Sequence, residues 1–302
     1  MAAQLTWLLN LDAERELAAP KHYQPDPNIE ARIEQLIPRM SRLLRPDDVV
    51  LGRDAAPALP GPVLAFCPTP SALRRIATAG LATAASPPLE VLQRVNSRAF
   101  CASLGQTLRN AEYVRDLPAL LASLSRSRPH HGWVLKRDFG FAGRERRRVL
   151  TAPHETALDA SSLGFARRSF ARGEGLQLEP WCARGTDFAL HGYLFASGHV
   201  LLSEPSLQQC DARGSWLHTR TLPDGALLPH ERTELEQQGH VVSVALAQAG
   251  YFGPFGIDAF RYVAEDGSEG FQPRSEINAR YSMGYPRGLL EQVLLVPDYR
   301  LG

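Results

Sequence analysis

Two short stretches carry the acidic residues on which the reading turns: "FGIDAF" with Asp258, and "SEINAR" with Glu276, Asn278 and Arg280. Both are apolar-flanked and lie either side of a turn around residues 265–269, so they are expected as the two strands of a hairpin. A turn centred near Gly267 puts Asp258 opposite Glu276. Directly opposed side chains sit roughly 4.5–5.5 Å apart at Cβ, where like charges repel. Something cationic is therefore expected between them. The two-residue period places Arg274, Glu276, Asn278 and Arg280 on one strand face, and Gly256, Asp258, Phe260 and Tyr262 on one face of the other. All-oxygen ligands suit a hard cation, and Mg²⁺ takes one or two carboxylates while leaving its other positions to water and phosphate. Arginines alongside suit phosphoryl oxygens. The competing reading is a solvated hairpin whose Asp, Glu and Arg pair at the surface.

A second candidate lies upstream in "VLKRDFGFAGRERRRV", where Lys136 ends a strand that enters a loop holding Gly140 and Gly143. Glycines let backbone N–H groups approach phosphate, and a lysine at the loop mouth adds a point charge. Of thirty-three basic residues only Lys21 and Lys136 are lysines. In a chain so biased to arginine, a compact ammonium on a flexible stem is worth explaining. The loop is neither a Walker motif nor GxGxxG, and a surface hairpin is its plainer reading. The run "RERRR" from Arg144 to Arg148 is read as a solvated charged strand. His191 and His218 lack metal-ligand spacing and are expected to pack.

These residues need elements to hold them. The first hundred residues alternate "LTWLLNLD", "IEARIEQLIPRMSRLL", "DVVLG", "PVLAFC" and "SALRRIATAGL", a β/α rhythm that predicts a small parallel sheet with covering helices. "AAPALPGP" at 55–62 is a Pro-rich connection, and "LEVLQRVNSRAFCASLG" reads as helical. From Gly132 the pattern turns to strands and hairpins, with helices expected near Ser161–Arg172 and in "PHERTELEQQGHVVSVALAQAG". The expected class is α/β (α+β), with a domain over 1–94.

Composition bounds the rest. At 302 residues, 44% of them hydrophobic, the chain can bury a substantial core. A net charge of +1 gives no global pull toward nucleic acid or an anionic membrane. Cys67, Cys101, Cys182 and Cys210 are scattered without a CxxC pair, so neither a zinc cluster nor a disulfide framework is expected. "MAAQLTWLLNLDAERE" reads as lacking a positive leader, and no apolar run approaches a membrane span. A cytoplasmic protein is expected.

Taken in order, these motifs resemble the ATP-grasp superfamily of carboxylate-amine ligases, from about Leu89 to the end. The resemblance implies a two-lobed unit over 95–302, its central lobe about 105–175 and C-terminal lobe about 176–302. "VNSRAF" resembles the helix leading into the family's central domain, with Arg98 where a lysine normally reaches the nucleotide phosphate. "VLKRDFGFAGRE" resembles the central strand and glycine loop, which implies phosphate contacts from Lys136, Gly140 and Gly143. "LQLEPWCARGTDF" resembles the adenine hinge, implying Glu179, Trp181 and Cys182 at the base and Asp187 at the ribose. "FGIDAF" and "SEINAR" resemble the metal-binding strands, implying Asp258, Glu276 and Asn278 as Mg²⁺ (or Mn²⁺) ligands. The arginine at 98, an aspartate rather than glutamate at 187, and a loop with only two glycines depart from the pattern.

The resemblance implies ATP-dependent activation of a carboxylate as an acyl phosphate, then capture by an amine, with release of ADP and phosphate. Lys136 and Arg280 are the expected catalytic residues, Arg280 at the transferring phosphoryl group. Arg220, Arg274 and Arg280 are candidates for a substrate carboxylate. Small-molecule acids and amines, such as amino acids or a peptide, are the expected partners, with a homodimer left open and no nucleic acid or membrane. Two alternatives stand beside this one: an ATP-binding regulatory or assembly module without ligation, and a small-molecule kinase on the same scaffold.

Overall fold

The β/α rhythm of the first hundred residues forms a compact parallel sheet. In chain order β1 (Thr6–Leu8), α1 (Ala13–Ala18), α2 (Pro27–Leu36), β2 (Val49–Val50), β3 (Val63–Ala65) and α3 (Pro70–Thr78) build this unit, with β1 between β2 and β3. The computed structural model describes residues 4–52, 63–126, 129, 131–140, 145–150, 158–211, 215–264, 266–296 and 299. The Pro-rich connection at 55–62 and Gly143 lie outside them. Asp48 organises the sheet edge: its carboxylate, 1% exposed, accepts from the Leu5 and Arg45 N–H groups, both at 3.0 Å, and from Trp7 Nε1 at 3.3 Å.

The stretch expected as one helix divides into α4 (Leu89–Val95) and α5 (Arg98–Ser103). The break has a side-chain cause. Asn96 Nδ2 turns back to the Leu92 carbonyl at 2.9 Å, while Ser97 Oγ accepts from the Phe100 N–H at 3.1 Å and so starts a new helix.

Next come β4 (Glu112–Val114), α6 (Leu117–Arg126), β5 (Trp133–Arg137), β6 (Arg146–Val149), α7 (Ala160–Ala171) and β7 (Leu176–Pro180). They form a four-stranded sheet of order β4-β7-β5-β6, with an apolar cluster of its own around Leu120, Leu135, Phe165 and Leu178. Strand β7 fills the slot between β4 and β5. The crossing to the last lobe comes at Trp181 and Cys182.

That lobe contains β8 (Ala183–Leu194), β9 (Val200–Leu202), β10 (Ser206–Cys210), β11 (Trp216–Thr221), α8 (Pro229–Gln248), β12 (Gly253–Val263), β13 (Glu269–Asn278) and α9 (Arg287–Leu295). The sheet runs β11-β10-β8-β12-β13, with β9 also on β8. Helix α8 lies close on it because position 239 is glycine: a Cβ there would come within 2.8 Å of Leu190 Cδ2. One apolar cluster joins Trp7 and Leu17 to Val95, Phe255, Ile257 and Tyr285, so a boundary at residue 94 does not separate two cores. Helix α9 closes back on the N-terminal unit, with Arg287 Nη1 2.6 Å from Asp48 Oδ2. Among the described residues no helix is long and apolar enough to cross a membrane.

Candidate active site

The N-terminal unit, the central lobe and the last sheet enclose a cleft of about 640 Å³. On its floor β12 and β13 pair antiparallel, with Asp258 opposite Glu276 and Gly256 opposite Asn278. This is the expected register, reached by two compensating differences. The hairpin pairs Val263 with Glu269, which centres it at Asp266 rather than Gly267. Between Gln272 and Glu276 lie Pro273, Arg274 and Ser275, facing only Ala259 on β12, and this bulge restores the pairing. Pro273 has no N–H to give to a ladder, and a bulge tolerates it.

The bulge also breaks the period-2 face. Arg274 leaves Glu276 and Asn278 and points away from the cleft: it is 3% exposed, its guanidinium donating to Gln238 on α8 and to the Gly105 carbonyl. Arg220, on the edge strand β11, is exposed and does not line the cleft. Neither of these two substrate candidates lines the cleft. Arg280 alone of the three lines the cleft.

The two carboxylates are half-buried and treated differently. Asp258 Oδ1 accepts from Gln208 Nε2 at 2.8 Å and Oδ2 from Asn278 Nδ2 at 3.1 Å. Burial, with the charge of Glu276 adding to it, pushes the Asp258 pKa up to about 6 despite those amides. Burial works in the same direction on Glu276, but Arg98, Lys136 and Arg280 prevail and hold it below the usual carboxylate range. Arg98 Nη2 sits 3.0 Å from Glu276 Oε1. The cation expected beside the pair is thus in part Arg98; Asp258 feels the charge of Arg280 but forms no ion pair among the described residues. Two opposed carboxylates with the Asn278 side chain beside them offer the oxygen donors a hard divalent cation takes, and its charge would relieve their repulsion. The set has only two acidic members, and among the described residues no group of three or more His, Cys, Asp or Glu is placed to hold a metal ion.

Above this floor Lys136 projects from β5, with Nζ 2.5 Å from Glu179 Oε2 on β7. Burial lowers the Lys136 pKa and Glu179 resists the shift. Gly140 also lines the cleft. Asp138 fastens this strand end to α5: Oδ1 accepts from the Ala99 N–H at 2.9 Å, its carbonyl from the Arg98 N–H at 3.2 Å, and Oδ2 from Tyr113 at 2.7 Å. That places Arg98 and Lys136 over the carboxylates.

At the crossing, the Trp181 N–H donates to the Gly132 carbonyl at 2.8 Å, and the guanidinium of Arg148 lies 4.0 Å from its ring centroid. A hinge contact would thus fall to the Trp181 carbonyl and to Cys182. Asp187, on β8, is 2.5 Å from Arg184, whose guanidinium stacks on Phe260. Glu179, Trp181, Cys182 and Asp187 all line the cleft.

Two residues at the site went unread in the sequence. Glu14, on α1 of the N-terminal unit, accepts from Arg280 Nη2, while Asn278 Oδ1 accepts from the same guanidinium at 3.0 Å. The signal for Glu14 was an acid sharing a helix face with the buried Ala13 and Leu17. Gln208 on β10 is the other, and its position opposite Asp187 was readable only once β8 and β10 were paired. The four cysteines are free, and His191 is buried with Nε2 2.7 Å from Ser282 Oγ; burial takes its pKa down to about 3.

A small parallel N-terminal unit, a four-stranded lobe and a large antiparallel sheet closing on one charged cleft define the ATP-grasp fold, and the chain has it. Among solved structures it is similar to N5-carboxyaminoimidazole ribonucleotide synthetase from Thermus thermophilus, at 18% identity and TM-score 0.50 over 92% of this chain and 72% of that one. It is similar also to the biotin carboxylase domain of Hydrogenobacter thermophilus 2-oxoglutarate carboxylase, solved with MgADP, ADP and bicarbonate (14%, 0.53, 93% and 65%). D-alanyl-alanine synthetase A from Vibrio cholerae is a third (12%, 0.51, 97% and 94%). No family model and no curated protein matches the sequence. At these identities the likeness is one of fold.

Proposed function

We propose that the protein is an ATP-dependent, ADP-forming carboxylate-amine ligase that works with Mg²⁺. The observation that carries this reading is the pairing of Asp258 with Glu276 beside Asn278, directly beneath Arg98, Lys136 and Arg280 in one cleft. Phosphoryl transfer needs positioning and charge neutralisation more than covalent help, and this cleft offers both signs of charge within one enclosure. The MgADP bound to the 2-oxoglutarate carboxylase domain supports a nucleotide and a metal in a cleft of this fold.

In this reading the acid's carboxylate oxygen bonds to the γ-phosphorus of ATP as ADP leaves, and an amine then displaces phosphate from the acyl carbon with loss of a proton. Asp258, Glu276 and Asn278 would hold Mg²⁺, which would neutralise phosphate charge when bound. Lys136 and Arg98 turn from Glu179 and Glu276 to the phosphate tail, and the Gly140 backbone lies against it. Glu179, Cys182 and the Trp181 carbonyl meet the base, and Asp187 the ribose. Arg280 stands where the transferring phosphoryl group and the acyl phosphate carry charge. An acyl phosphate hydrolyses in water, so the central lobe acts as its cover.

Calorimetry of ATP binding with and without Mg²⁺ tests the reading, comparing wild type with Glu276→Gln. Mg²⁺-dependent binding lost in the variant is the expected result. Equal Mg²⁺-ATP affinity in the two proteins would remove the metal assignment. Product analysis then separates ligation from its competitors: an amide with ADP, a stable phosphorylated metabolite with ADP, or no turnover.

A further inference from the structure

One wall of the cleft has no part in the chemistry above. Leu11, Ile29, Ile33 and Leu36 line it from the N-terminal unit, with Phe66 after β3 and Met283 after β13. Ile29, Ile33 and Leu36 recur at i, i+4 and i+7, so α2 turns an apolar stripe toward the opening, with the exposed Arg32 at its edge. Ile33 and Leu36 also rest on the main apolar cluster, but all three residues stay only half-buried. The fold alone leaves their exposed side unused.

The wall begins where Arg280 ends. The Arg280 guanidinium carbon lies 5.3 Å from the Phe66 ring centroid, and Met283 follows three residues later in the chain. Nη1 donates to the Tyr281 carbonyl at 2.9 Å and Nη2 serves Glu14 and Asn278, whereas Nε is buried with no hydrogen-bond partner among the described residues. A buried guanidinium N–H without an acceptor has capacity for an incoming carboxylate. The rest of such an acid would then run along the apolar stripe. Glu14, on the other side of the guanidinium, opposes a second carboxylate in the same place.

Resting on the ligase reading, we infer that the acid activated here carries a branched aliphatic or aromatic group, seated against Ile29, Ile33 and Leu36 with its carboxylate on Arg280. Short hydrophilic acids and dicarboxylates bind poorly. The selectivity comes from water released off the stripe and from repulsion by Glu14.

Calorimetry on the full chain tests this with four acids, each with and without MgADP: 4-methylpentanoate, 3-phenylpropanoate, acetate and succinate. The first two should bind about tenfold or more tightly than the others. That margin should collapse in Ile29→Asp and in Ile33→Asn, with melting temperature and MgADP affinity kept. If Ile33→Asn does not fold, Ile29→Asp decides, since Ile29 is not part of the main cluster. Equal binding of the four acids, no binding of any, tightest binding of succinate, or a margin kept in the folded variants would each overturn the inference. If MgADP does not bind while the margin stands, the ligase reading falls and the acid-binding wall remains.

Discussion

Two hairpins bring charge into the cleft from opposite sides, and they are anchored differently. The β12–β13 hairpin belongs to the large sheet, with Ile257 and Ile277 in the apolar cluster that extends to the N-terminal unit. The β5–β6 hairpin, with Lys136, belongs to a four-stranded sheet that has its own cluster around Leu135 and Leu178. The acidic set thus shares a core with most of the molecule, while the lysine rides on a separately packed lobe. Their relative position rests on Phe139, which packs against the large cluster, and on polar links: Asp138 to α5, Arg98 to Glu276, and Thr107 Oγ1 to the Arg274 carbonyl at 2.8 Å. Under the proposed ligase reading, metal ligands would demand fixed geometry, whereas a lobe admitting nucleotide would need freedom to open.

Core truncation should expose this difference most strongly. Leu135→Ala and Ile257→Ala should each cost about 2–5 kcal/mol. Hydrogen exchange should then speed up mainly within 112–180 for the first variant and across all three units for the second; the same exchange pattern in both would mean that the lobes do not open separately. Next in size, Glu276→Gln should weaken Mg²⁺-dependent nucleotide binding about 10–100-fold. Lys136→Met should instead cost roughly tenfold with or without Mg²⁺, and a loss confined to Mg²⁺ conditions would put the lysine's role on the metal side.

The pH response of stability is a smaller probe of the large sheet. His191 on β8 has a folded pKa near 3 against 6.5 in the open chain, so the unfolded state binds the proton first. Its contribution is complete above about pH 6.5 and is lost as pH falls toward 3, by up to about 1.4 kcal/mol per unit. In urea unfolding, His191→Leu should flatten the slope between pH 6.5 and 5, and an unchanged slope would assign it to other groups. The smallest effect is expected at Arg220→Ala, within about 0.5 kcal/mol in stability and without change in acid binding. Lost acid binding there would return Arg220 to the site.

What the sequence disclosed followed distance along the chain. Asp258 and Glu276 are joined by a short hairpin, so alternation and a turn sufficed to oppose them, although an off-centre turn and a bulge had to cancel. Arg274 defeated the same alternation because three residues face one across the bulge, and a strict two-residue period cannot anticipate that. Lys136 was conspicuous for its rarity, but its partner Glu179 depends on the pairing of β5 with β7. Glu14 lies 266 residues from Arg280, and no local pattern spans that interval. The helix break at Asn96 was hidden for a related reason: that side chain accepts from the Ala279 N–H at 2.8 Å, across the molecule.

The grip of α9 on Asp48 bears on how the chain emerges from the ribosome. Arg287 donates to a carboxylate that is 1% exposed, and its own N–H reaches the Arg42 carbonyl at 2.7 Å. During synthesis the small parallel sheet waits for this partner until the 239 residues that separate it from Asp48 have been made. Vectorial folding can therefore start at the amino end but cannot finish there, and nascent chains halted before Arg287 carry an unneutralised acid beneath their first strand.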